Sequence, residues 1–256
     1  TNSSYTIEEI AKETDKPLWF QIYHLSREID EMLVKRAENN GYKVIVLTVD
    51  GPVPGMDHLR PKERDIRNAF INPPNTERVN LIGEVAGLGY KKGDPEVQLG
   101  GYHPVEQLIW EDIDWFRSIT KLPIVIKGLQ SAHDAKKAVE YGVDGIVVSN
   151  HGARGVDTLM PSLESLPEVL DAVNGKCEVY LDGGIRRGAD ILKALAFGAK
   201  GVMIGRPFYW GLAVDGENGV RDVINILKQE LEQAMKYCGI TDVENIDPNL
   251  LSYNFS

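Results

Sequence analysis

Apolar positions along this chain follow two alternating patterns. In one, apolar and β-branched residues crowd into short runs. These are Leu18 to Tyr23, Tyr42 to Val49, Pro123 to Lys127, 145 to 149, Glu178 to Leu181 and Val202 to Ile204. Such runs are too short for helices and read as strands buried on both faces. In the other pattern apolar residues return every three or four positions, the period of a helix with one buried face. Ile29, Met32, Leu33 and Ala37 predict a helix over 27–40 that Gly41 stops, and 110–118 predicts another. Ser131 opens a third, which ends at Gly142. Leu163, Leu166, Val169, Leu170 and Val173 mark a fourth, and Ile191, Leu192 and Leu195, before Gly198, a fifth. Val220, Val223, Ile224, Leu227, Leu231, Ala234 and Met235 predict a long helix over roughly 217–238. Near the start, Thr6 and Glu9 have the spacing of a capping box.

Strand and helix alternate throughout, which predicts a parallel sheet covered by helices. Repeated right-handed crossovers point to an α/β fold of the (β/α)8 TIM barrel type. Six predicted strands supply about six of the eight βα units, within a single domain over 1–256. One stretch breaks the rhythm. Residues 51–104 carry Pro52, Pro54, Pro61, Pro73, Pro74 and Pro95 and no sustained period, as expected of a long active-site loop.

Composition narrows the partners. Thirty-eight acidic against 28 basic residues give a net charge of −10, which argues against nucleic acid or an anionic membrane as the main partner. Cys177 and Cys238 form no disulfide framework, and no His/Cys/Asp cluster has metal-ligand spacing. No apolar run has the length of a membrane span and no signal peptide opens the chain, so a reducing, cytoplasmic setting is expected.

Polar groups stand at every predicted strand end, where a barrel carries its chemistry. Gln21 and Tyr23 end the first strand, Thr48 and Asp50 the second, and Lys127 the third. Ser149, Asn150, His151, Gly152, Ala153 and Arg154 follow the fourth. A histidine there moves protons near neutral pH, and an arginine holds a carboxylate through two parallel hydrogen bonds. From the residues alone, an ordinary turn that happens to contain a histidine fits as well. Asp182, Gly184 and Arg186 follow the fifth strand, and Gly205 and Arg206 the sixth. Exposed N–H groups at two successive helix N-termini, with a guanidinium at each, describe a phosphate site. They specify a phosphorylated ligand and no more. His24 is a further pocket candidate, whereas His58, His103 and His133 read as surface residues.

The run S-N-H-G-A-R, with T-N-S-S-Y-T-I-E-E-I-A, L-T-V-D, L-D-G-G-I-R-R-G and I-G-R-P-F, resembles the FMN-dependent L-2-hydroxy acid oxidases and dehydrogenases. The likeness runs from the first residues to the helix ending near Gly239. It implies FMN as the cofactor, bound through Gln21, Thr48, Lys127, Ser149, Asp182, Gly184, Arg186, Gly205 and Arg206. It implies His151 as the base, Asp50 as its carboxylate partner and Tyr23 as a hydrogen-bond donor to substrate. It further implies Lys127 beside the flavin's N1–C2 edge and Arg154 as the clamp on the substrate carboxylate. The substrate class is then a small L-2-hydroxy acid of the lactate, glycolate or mandelate type. The same residues serve hydride or proton loss from the α-carbon, and oxygen or another electron acceptor.

The chain departs from the family pattern in three places. Gly155, Val156 and Asp157 follow the signature arginine, where the family usually has Gln first. The family's second substrate arginine falls in a stretch with extra residues, leaving Arg60, Lys62 and Arg64 as candidates. The family's N-terminal strands and leading segment have no counterpart, so that segment is expected as a partner, alongside homo-oligomers, a tetramer by resemblance. Two rivals remain: a non-catalytic or split fragment, and another FMN- or phosphate-binding barrel such as an isomerase.

Overall fold

The computed structural model describes residues 3, 5–51, 108–156 and 158–252. The foreseen loop lies outside them except for Gly51, as do Arg60, Lys62, Arg64, His58 and His103. Six strands are present among the described residues: β1 (Trp19–Ile22), β2 (Val44–Thr48), β3 (Ile124–Leu129), β4 (Gly145–Val148), β5 (Glu178–Asp182) and β6 (Gly201–Met203). Seven helices accompany them: α1 (Ile7–Lys12), α2 (Arg27–Asn39), α3 (Asp112–Ile119), α4 (Ala132–Glu140), α5 (Ser162–Val173), α6 (Gly188–Phe197) and α7 (Arg206–Tyr237). The strands lie in chain order, with β1 parallel to β2, β4 to β5 and β5 to β6. This is the topology of a barrel wall, and the expected fold class holds.

Two compact units divide the chain, Thr1–Val125 and Ile126–Ser256, with β3 beginning in the first and ending in the second. In the first unit, Phe20, Ile22, Leu33, Ile45, Leu47 and Phe116 form one buried cluster. Each such side chain contributes roughly 1.5–3 kcal/mol by leaving water. Local signals set the helix starts. Thr6 and Glu9 close the expected capping box, with Thr6 N donating to Glu9 Oε2 at 2.7 Å and Glu9 N to Thr6 Oγ1 at 3.1 Å. Ser26 accepts from Ile29 N at the start of α2. In the second unit, all four residues of β4 are buried, as a strand covered on both faces requires.

The C-terminal helix departs from expectation. It begins at Arg206, well before 217, and breaks at Asp215 and Gly216, where φ of Gly216 is +52°. Pro207 suits the first turn of its first arm, because a helix N-terminus needs no N–H there. Gly211 and Gly219 bring the two arms together: a Cβ on Gly219 would lie 1.9 Å from the Gly211 carbonyl oxygen.

Candidate active site

In the first unit, polar side chains converge beyond β1 and β2. Gln21 Nε2 donates to Thr48 Oγ1 at 2.9 Å, joining two residues read as cofactor contacts. The Tyr23 ring lies against the chain beside Asp50, since a Cβ on Gly51 would sit 3.1 Å from it. His24, a pocket candidate by sequence, is instead in the interior, 5% exposed. Its Nδ1 is 2.6 Å from Asp30 Oδ2, and Asp30 Oδ1 accepts from Leu25 N at 3.3 Å. Burial pushes the Asp30 carboxyl above its ordinary range, against the opposing pull of His24. Arg27 donates to Asp112 nearby at 2.8 Å. Asp30 was not foreseen; its signal is an acidic residue on the apolar face of α2, beside Ile29 and Leu33.

In the second unit, the residues after β4 form a 3-10 turn, His151–Ala153. All three are left-handed, with φ of +54° at His151, +65° at Gly152 and +57° at Ala153. For each of the two that carry a Cβ, this conformation costs about 1–2 kcal/mol. Ser149, buried, accepts from His151 N at 3.0 Å and from Lys127 Nζ at 3.0 Å. Lys127 lies inside β3 rather than at its end, and also pairs with Asp182 Oδ2 at 2.8 Å. Four residues read separately from the sequence are thus joined through one ammonium and one hydroxyl. Asp182 Oδ1 is buried and, among the described residues, has no hydrogen-bond partner. Arg154 is exposed and closes the turn, its N–H donating to His151 O at 3.4 Å.

The glycine-rich segment after β5 turns through Gly183 and Gly184, both with positive φ. At the start of α6 the N–H groups meet carboxylates of the chain itself. Asp190 Oδ2 accepts from the N–H of Arg186 and of Arg187, each at 3.0 Å, and Glu230 Oε2 accepts from Gly188 N at 2.9 Å. Carboxylates already answer that end of the helix. Asp190 three residues after Arg187 is a capping spacing that could have revealed this. The start of α7 has no side-chain cap, so its N-terminal end keeps the property that α6 lacks. Arg186 and Arg206 are both exposed. Arg186 stacks 4.5 Å over the Trp210 ring, and the Arg206 guanidinium lies against Gly152, 3.1 Å from where a Cβ would stand.

These features suit FMN. Asp182 Oδ1 is an acceptor awaiting a hydroxyl, as a ribityl chain provides. Two guanidiniums and an uncapped helix start suit a phosphate. Lys127, held by Ser149 and Asp182, is a fixed cation of the kind that suits an anionic group.

The family described as FMN-dependent dehydrogenase matches residues 1–253. An L-lactate oxidase of Nostoc sp. is 46% identical over 259 residues, covering 98% of this chain and 69% of its own. A 2-hydroxyacid oxidase 1 of Mus musculus is 47% identical over 257 residues, covering 97% and 68%. A peroxisomal (S)-2-hydroxyacid oxidase of Arabidopsis thaliana is 45% identical, covering 96% and 66%. A crystal structure of mandelate oxidase aligns with a TM-score of 0.79 at 39% identity, covering 96% of this chain and 66% of that one. The chain therefore spans about two thirds of the length of the proteins it matches. No described helix is long and apolar enough to cross a membrane.

Proposed function

The chain belongs to the FMN-dependent dehydrogenase family, and from that premise we propose that it serves the oxidation of a small L-2-hydroxy acid to the 2-keto acid. The observation that carries the reading is the linked set Lys127, Ser149, His151 and Asp182, with the unanswered Asp182 Oδ1 at its end.

Lys127, Ser149, Asp182, Arg186 and Arg206 would hold the cofactor. Lys127 and Ser149 would meet its ring, Asp182 its hydroxyl-bearing chain and the arginines its phosphate. FMN, when bound, supplies the acceptor for the two electrons that leave the substrate. Arg154 would grip the substrate carboxylate through a two-pronged hydrogen bond, fixing the α-carbon. His151 would take up one proton of the CH–OH group at its imidazole, as a general base does. For Tyr23, Asp50, Gln21 and Thr48 the roles rest on family resemblance. Association of copies of this chain belongs to the same proposal and is measured by sedimentation.

The test is FMN titration of the purified chain, followed by anaerobic addition of L-lactate, glycolate or L-mandelate without nicotinamide. A yellow protein that bleaches supports the reading. A yellow protein that none of the three bleaches refutes the substrate class, and a chain that takes up no FMN refutes the cofactor assignment.

A further inference from the structure

We propose that Asn150 is a positioning residue that latches the left-handed turn carrying His151 and so fixes the aim of its imidazole; this rests on the reading of His151 as the base. Nothing in the reaction itself uses Asn150. Yet it ties the turn to its surroundings at three points. Ala153 N donates to the Asn150 backbone carbonyl at 2.8 Å and also to its side-chain Oδ1 at 3.3 Å, so the side chain adds a second acceptor inside the turn. Its Nδ2 donates to Met160 O at 3.3 Å, and its backbone N–H donates to Ser162 Oγ at 3.1 Å. The far anchor is itself held, because Gln130 Nε2 donates to the same Met160 carbonyl at 2.7 Å.

The need for a latch follows from the backbone. Three successive left-handed residues form a turn that L-residues avoid, and two of them carry a Cβ. Without outside bonds the segment would relax toward the common right-handed region and swing the imidazole away. Ser149 fixes the turn at its entry through His151 N, and Asn150 fixes it at its exit through Ala153 N. The two act at opposite ends of one strained unit. A side-chain oxygen gives Ala153 N its second acceptor, and an amide donor reaches Met160 O. Asparagine meets both, and aspartate only the first.

Three variants of the full chain decide it: Asn150→Ala, Asn150→Asp, and Asn150→Ala combined with Ala153→Gly. The ligand-free readout is hydrogen exchange at the Ala153 amide. It should quicken at least tenfold in Asn150→Ala and stay within threefold of the parent in Asn150→Asp. With FMN bound, Asn150→Ala should slow flavin reduction at saturating 2-hydroxy acid at least tenfold, while KM and the FMN Kd move less than threefold. Glycine adopts the left-handed region without penalty, so Ala153→Gly in the Asn150→Ala background should restore most of the lost rate. A general loss of structure would not be repaired by adding a glycine. Unchanged exchange in Asn150→Ala, or a double variant no faster than the single, overturns the proposal. A parent that binds FMN but is never reduced refutes the oxidase reading instead, and the exchange experiment then still decides the latch.

Discussion

Replacing Gly188 by alanine sets a methyl group where another helix already has its backbone. At this first residue of α6, the new Cβ would stand 2.0 Å from Leu231 N and 2.2 Å from Glu230 C, both in α7. Ordinary contact begins at 3.4 Å, so the two helices must part by about 1.4 Å. Neither obstacle is a flexible side-chain end that can swing aside. Overpacking of this kind costs about 1–3 kcal/mol. Parting the helices also stretches the bond from Gly188 N to Glu230 Oε2, now 2.9 Å. A hydrogen bond to a charged group is worth about 1.5–3 kcal/mol. Together they predict a loss of roughly 2.5–6 kcal/mol, or about 5–24 °C in melting temperature for a chain of this size. Gly201→Ala is the control, since its Cβ would meet the Tyr180 ring at an ordinary 3.5 Å. Thermal unfolding followed by far-ultraviolet circular dichroism reads both. FMN affinity should fall with Gly188→Ala too, because Arg186 lies two residues before the displaced helix start. A Gly188→Ala protein melting within 2 °C of the parent would refute the packing argument.

Three further outcomes are expected. Lys127→Met strands the Asp182 carboxylate and should destabilise by about 3–5 kcal/mol, whereas Lys127→Met with Asp182→Asn should recover most of that in denaturant unfolding; equal losses in both would show the pair is not coupled. Burial, with the nearby carboxylates of Asp144 and Glu178, pushes the Cys177 thiol up to about 11, so a thiol-reactive dye at about pH 8 should label the exposed Cys238 and leave Cys177 largely unlabelled in the folded protein. The two Arg36 hydrogen bonds hold the Glu8 carboxyl below its ordinary value of 4.5, so its stabilisation is complete above that value and is lost as pH falls through the lower folded one; Arg36→Met should therefore lose less stability than the parent between about pH 5 and 3, and parallel melting curves would count against the pair.

Much of this fold is legible because its strands are buried on both faces. Ile146, Val147 and Val148 have no polar face to hide, and the run announces itself. Helix starts were readable where a side chain does the capping, as at Thr6 and Ser131. The first arm of α7 was not, since R-P-F-Y-W-G-L carries a proline and a glycine and its apolar side is not continuous with the second arm. Within the site, residue types at strand ends were readable and their connections were not. That Lys127 turns to Ser149 and Asp182 depends on register between strands, which no local pattern encodes. The left-handed conformation of His151 and Ala153 was not readable either, because alanine avoids it and a lone histidine adopts it too seldom to mark it. His24 misled for a related reason: its partner Asp30 lies one helical turn into α2, and only folding brings the two together.

Strict chain order in the sheet also has a consequence for synthesis. A ribosome adds about 5–20 residues each second. β5 opens at Glu178 and β6 at Gly201, so each new edge of the later sheet meets its neighbour within seconds of emerging. Pairing between neighbours in sequence shortens the time that those apolar edges stand exposed. Among the described strands the wait is longest after β2, which ends at Thr48 while its neighbour β3 begins at Ile124. During that interval β2 has yet to meet β3. A chaperone that acts on this protein co-translationally would find its widest opening there.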